Sequence, residues 1–214
     1  MLAVTQLIGF AAGGGDGWDI VSVTPSQETV NTTTHNIAMP PTVSPGDLLV
    51  IVWANNGNPD SAIYPSFTSN FGFGTGALVV RSAYKVATGG EGGTTEDVTT
   101  TPSIQSSSLV YQLRGAEDPG IQAPEVSTTS STLDPNSLTP TGGPKEFLWL
   151  PVAAILGQNI TGFPTDYDGT ANNQTNVSVA AASRILDATT EDPGTFTAGG
   201  AGTDISVTVA IHPE

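Results

Sequence analysis

Gly46-Asp47-Leu48-Leu49-Val50-Ile51-Val52 and Pro144-Lys145-Glu146-Phe147-Leu148-Trp149-Leu150 are one short passage written twice. Each has a turn marked by Gly or Pro, then a carboxylate, then an apolar run of the kind that makes a buried strand. Working outward, Tyr64-Pro65-Ser66-Phe67-Thr68 falls on Phe163-Pro164-Thr165-Asp166-Tyr167, with an aromatic residue before the proline in both. Ser82-Ala83-Tyr84-Lys85-Val86 falls on Ala182-Ser183-Arg184-Ile185-Leu186, and Glu91-Gly92-Gly93-Thr94 on Glu191-Asp192-Pro193-Gly194. Leu109-Val110-Tyr111-Gln112-Leu113 then meets Val207-Thr208-Val209-Ala210-Ile211. The blocks keep their order and their offset drifts by only a residue or two about 99, so the chain reads as an old internal duplication.

The apolar residues follow strand periods throughout. Ile205, Val207, Val209 and Ile211 alternate with Ser206, Thr208 and Ala210, one face for a core and one for water. Turn clusters such as Asn55-Asn56-Gly57-Asn58-Pro59-Asp60 separate the strands, and no segment carries a helical stripe. The Thr- and Ser-rich stretches Thr94 to Thr101 and Ser127 to Thr132 suit exposed or edge strands. The expected fold is all-β, an antiparallel two-layer β-sandwich, jelly-roll-like, with an internal pseudo-repeat. Copy 1 spans 30–115 and copy 2 spans 125–213. Two arrangements are open, one small sandwich per copy or two copies interleaved in one. A single domain over 1–214 is favoured, because the N-terminal segment 1–29 has no counterpart in copy 2 and reads as strands added to a shared core.

The chain of 214 residues holds 20 acidic and five basic side chains, a formal net charge of -15, and only 12% charged residues. Its surface must therefore be largely Thr, Ser, Asn, Gln and Gly. So negative a chain is a poor partner for nucleic acid or an anionic membrane, which bind through Lys and Arg, and neither partner is expected. Without cysteine, disulfides and thiolate metal sites are excluded, and stability must come from packing and strand pairing. The apolar start from Leu2 to Phe10 lacks the basic residues of a signal peptide and reads as a first strand, and no run approaches the ~20 apolar residues of a membrane helix.

No catalytic residue, cofactor site or metal site is expected. His35 and His212 have no nucleophile relay or zinc partners near them in sequence and read as surface histidines. Glu91, Glu96, Asp97, Asp166, Asp168, Glu191 and Asp192 could supply a glycosidase pair, but read as solvated loop carboxylates. Asp166-Tyr167-Asp168-Gly169 resembles only part of a calcium loop, and the Gly-rich pieces at 13–17 and 72–76 are followed by neither Lys-Ser/Thr nor a helix. Trp53 and Trp149 sit in matching apolar strands and are assigned to the core. Tyr64 and Tyr167, beside prolines in loops, are the candidate glycan or partner contacts. Leu2, Leu7, Ile8, Phe10 and Trp18 are the candidate anchoring residues, in a stretch outside the repeat.

Ser44-Pro45-Gly46-Asp47-Leu48-Leu49-Val50, Ala83 to Gly92 and Ala182 to Phe196 resemble a pattern of β-sandwich virion structural proteins of tailed bacteriophages, over roughly residues 30 to 213. The resemblance implies a non-enzymatic protein on the virion surface, assembled in the host bacterial cytoplasm. It implies a capsid decoration or cement protein that binds the major capsid protein or another virion protein and is itself a homo-oligomer, a trimer by preference. The alternatives are a tail or fibre protein that binds host glycans, and a free carbohydrate-binding module.

Overall fold

The computed structural model describes residues 17–57, 64–118, 124–128, 130–173 and 176–214. Copy 1 supplies β1 (Asp19–Ala38), β2 (Leu48–Asn55), β3 (Thr68–Gly74), β4 (Val79–Val86) and β5 (Thr95–Arg114). Copy 2 supplies β6 (Glu125–Val126), β7 (Lys145–Leu156), β8 (Ile160–Gly162), β9 (Asp168–Asn172), β10 (Val177–Ala188), β11 (Thr197–Ala198) and β12 (Asp204–Ile211). No helix occurs among the described residues.

The strands form two antiparallel five-stranded sheets, ordered β1-β5-β2-β4-β3 and β6-β12-β7-β10-β9, with β8 and β11 making a small separate pair. The two orders are the same order. In each sheet one pair of successive strands, β3–β4 or β9–β10, lies side by side, and the other connections pass over one strand. Leu48 pairs with Leu113 on one side and Val86 on the other; Leu148 pairs with Ile211 and Ile185. With these taken as equivalent, Leu48, Val50, Val52 and Ala54 correspond to Leu148, Leu150, Val152 and Ala154, and all eight lie in one central core between the sheets. The copies thus share one sandwich, each supplying one whole layer. No strand among the described residues crosses between layers as interleaving requires.

Both sheets are covered on their outer faces as well, which is why β2 is buried at every position. In copy 1 the cover is the far half of β1 and the near half of β5. Their pairing is irregular between Glu28 and Thr34, and Ile104 within that stretch and Ile37 and Val98 beyond it pack with Leu49, Ile51, Trp53 and Tyr64. The Thr-rich stretch is therefore no free edge: Glu96, Val98 and Thr100 are buried while Thr95, Asp97 and Thr99 face water, a strict alternation. In copy 2, Leu133, Leu138, Phe163 and Phe196 cover Phe147, Trp149 and Ile155. The two layers are also latched at their margins. The Trp18 indole donates to the Glu146 carbonyl at 2.6 Å, and Asn172 Nδ2 donates to the carbonyls of Ser26 and Ser108.

The N-terminal expectation needs correction at one point. The part of β1 near Val23 has a counterpart in β6, since Val23 pairs with Tyr111 as Val126 pairs with Val209.

Candidate functional site

The outer face of each layer carries an aromatic ring, a cation and a glutamate at equivalent places. In copy 1, Lys85 Nζ lies 5.9 Å from the centre of the Phe67 ring and 2.9 Å from Glu91 Oε1. In copy 2, the Arg184 guanidinium lies 5.8 Å from the centre of the Tyr167 ring, and its Nη1 lies 3.6 Å from Glu191 Oε1. Register places the cations: Lys85 faces Leu49 on β2, and Arg184 faces Trp149 on β7.

The glutamates are held differently. Glu91 is 7% exposed and receives the N–H groups of Thr88 and Gly89 and the Thr88 hydroxyl as well as Lys85. Burial alone would raise its pKa, but Lys85 and these donors outweigh burial and bring it down to about 2. Glu191 instead accepts from the Tyr167 hydroxyl at 2.9 Å. Phe67 has no hydroxyl to offer, and beside it copy 1 opens into a cup of about 280 Å³. Glu91 and Glu96 line it, with Ser66, Phe67, Lys85 and Thr88. Glu96, also 7% exposed, accepts from the backbone N–H of Ser66 at 2.9 Å and from its hydroxyl.

A second charged cluster joins β2 to the end of β5. Asp47 is buried and accepts from Arg114 Nε at 2.7 Å, Ser44 N–H at 2.8 Å and the Gln112 side chain. Burial opposes its ionisation, and Arg114, Ser44 and Gln112 together overcome that and hold the carboxyl below its ordinary value. A groove of about 430 Å³ lies against this cluster, walled by Pro45, Val86, Arg114, Glu117 and Glu214.

Several expected placements change. Tyr64 and Tyr167 are not exposed contacts: at 8% and 9% exposure their rings are packed, Tyr64 edge-on to Trp53 and Tyr167 under Arg184, so neither offers a free face to a sugar. His35 and His212 are buried too. His35 shares hydrogen bonds with Ser106 and Thr100 and meets Trp53 edge-on; burial lowers its pKa against the opposing pull of Glu28. His212 bonds to Glu125 at 2.9 Å and lies edge-on to Phe147. Glu91 and Glu96 are likewise interior groups, not solvated ones. Trp53 and Trp149 are in the core as expected, but at non-equivalent positions, since Trp149 corresponds to Leu49. Trp18 belongs to the sandwich margin, and Leu2, Leu7, Ile8 and Phe10 lie outside the described residues.

Among the described residues, no three His, Cys, Asp or Glu side chains gather where they could hold a metal ion. Sequence reasoning noticed Glu91 and Glu96 but missed Phe67 and Lys85 as their neighbours. The signal was an aromatic residue, a cation and a glutamate in the same order in both copies, visible only once the copies are aligned in the correct register. No family model, no curated protein and no solved structure matches this chain.

Proposed function

We propose that the chain is a non-enzymatic structural protein of a tailed-phage particle, a capsid decoration protein that binds the major capsid protein as a homo-oligomer, by preference a trimer. The observation that carries this reading is that its interior charges are committed to the fold. Asp47, Glu91 and Glu96, the carboxylates with the burial that tunes an acid or base, each receive hydrogen bonds that hold them in place. The described surface exposes only Val30 and Val86 among large apolar side chains. Such a surface keeps the free protein dispersed, and weak contacts repeated along a lattice sum to firm attachment.

The test is reconstruction of purified virions. Density in symmetric clusters on the capsid lattice is the expected result, and density confined to the tail, or none on the particle, overturns the reading. A tail or fibre protein is the second reading, favoured by the cup beside Phe67.

A further inference from the structure

We infer that the cup beside Phe67 is a saccharide site that takes one neutral sugar ring. Its volume, about 280 Å³, lies just below the roughly 300–1,000 Å³ of drug-sized pockets, the scale of a ring and not of an extended chain. Its chemistry is mixed in the way a sugar requires. Phe67 gives an apolar wall for C–H groups, while Ser66, Thr88 and the two carboxylates give fixed hydrogen-bonding groups.

Glu96 is the group with capacity to spare. A carboxylate offers about four acceptor sites, and among the described residues Ser66 supplies the bonds this one receives. Ligand hydroxyls can donate to the remainder. Glu91, by contrast, is saturated by Lys85, Thr88 and Gly89, and serves to fix the wall. Two carboxylates against one ammonium leave the cup negative, which disfavours phosphorylated, sulfated or carboxylated sugars.

Copy 2 differs at the equivalent place. There Glu191 accepts from the Tyr167 hydroxyl at 2.9 Å, a donor that Phe67 does not offer to Glu91. The site stands on the geometry of copy 1 and does not depend on where the protein sits on a particle.

The experiment is calorimetric titration and saturation-transfer NMR of the full chain with glucose, galactose, mannose, N-acetylglucosamine and protonated glucosamine. Saturable binding of at least one neutral sugar is expected. Glu96→Gln should weaken it at least about tenfold, the loss of one charge-assisted hydrogen bond. Phe67→Tyr, which sets a hydroxyl on the apolar wall of the cup as Tyr167 does in copy 2, should weaken it as well. Both variants should fold, with the native circular dichroism, and Tyr167→Phe should bind as the native chain does. Absence of saturable binding across the panel, or binding unchanged in both cup variants, would each overturn the assignment.

Discussion

Lys85 and Arg184 stand at equivalent positions of the two sheets, and each bridges an aromatic ring and a glutamate on the outer face of its layer. The copies have diverged around this feature in complementary ways. Where copy 2 has a tyrosine hydroxyl on its glutamate, copy 1 has backbone N–H groups and a shorter ion pair.

That difference predicts unequal costs. Glu91 is the more deeply buried of the two glutamates and its cation the closer, so Lys85→Ala leaves an ionised carboxylate with less to offset its burial. It should lose about 2 kcal/mol. Arg184 is a third exposed, its contact is longer, and Glu191 keeps the Tyr167 hydroxyl, so Arg184→Ala should lose about 1 kcal/mol or less. Urea unfolding of both variants checks the order.

The same network sets the acid limit. The Glu91 carboxyl ionises near 2 in the fold against 4.5 ordinarily, so the folded state holds its proton less tightly than the unfolded chain does. Stability from this group is fully present above pH 4.5 and is lost as pH falls from there towards 2. Its size is on the order of 3 kcal/mol. Asp47 acts in the same direction. Glu91→Gln should therefore be less stable than the native chain at pH 7, with the gap closing as pH approaches 2. A gap that stays constant with pH would show that the carboxylate is not held as the geometry requires.

At the alkaline end the sign reverses. Burial raises the phenols of Tyr64, Tyr111 and Tyr167 above the ordinary value of 10, and Glu191 raises that of Tyr167 further. The fold holds these protons more tightly than the unfolded chain does, so stability is intact below pH 10 and falls as pH rises beyond it. In a Tyr84→Phe variant, phenolate absorbance should appear only together with the loss of the sandwich's circular dichroism. Phenolate signal from a still-folded chain would contradict the packing of these rings.

How much of this was legible in the sequence depended on alternation. Leu109, Tyr111 and Leu113, and in copy 2 Val207, Val209 and Ile211, face the central core, Thr208 and Ala210 mark the other face of the second run, and the alignment read from sequence is the one that strand pairing gives. The runs at β2 and β7 are buried on both faces, so apolar residues fill every position and nothing marks which face is which. There the sequence alignment, which matched the carboxylates Asp47 and Glu146, set Leu48 against Phe147, one residue from its structural equivalent Leu148 and on the opposite face. At β4 and β10 it slipped by one and set Lys85 against Ile185, which points to the opposite face, and so hid the match with Arg184. The burial of Tyr64, Tyr167, His35 and His212 was invisible for a related reason: their cover comes from ribbons and loops distant in sequence.

Gly115 tests the joint where β5 leaves the first sheet. It has φ of +78°, and a Cβ placed on it would lie 1.8 Å from the Gly17 carbonyl oxygen. Backbone conformation and backbone contact both forbid a side chain, so Gly115→Ala should cost upwards of about 2 kcal/mol. Gly143→Ala is the control, with φ of +79° but open space around its Cβ, and should cost only about 1 kcal/mol. Thermal unfolding of the pair separates the contact from the dihedral.

Attachment can be separated from folding at Trp18. Its indole N–H holds the Glu146 carbonyl across the two layers, and its ring packs against the central core. Trp18→Phe keeps much of the packing and loses the hydrogen bond, and should cost about 1 kcal/mol without altering attachment to a particle. Removal of Met1 to Asp16 takes away the apolar residues Leu2, Leu7, Ile8 and Phe10 while sparing Gly17, which lies against Gly115. If that segment anchors the protein, co-sedimentation with particles should be lost and the unfolding midpoint should hold. Retained co-sedimentation would place the anchoring surface on the sandwich itself, where the acidic groove beside Arg114 would be the next surface to vary.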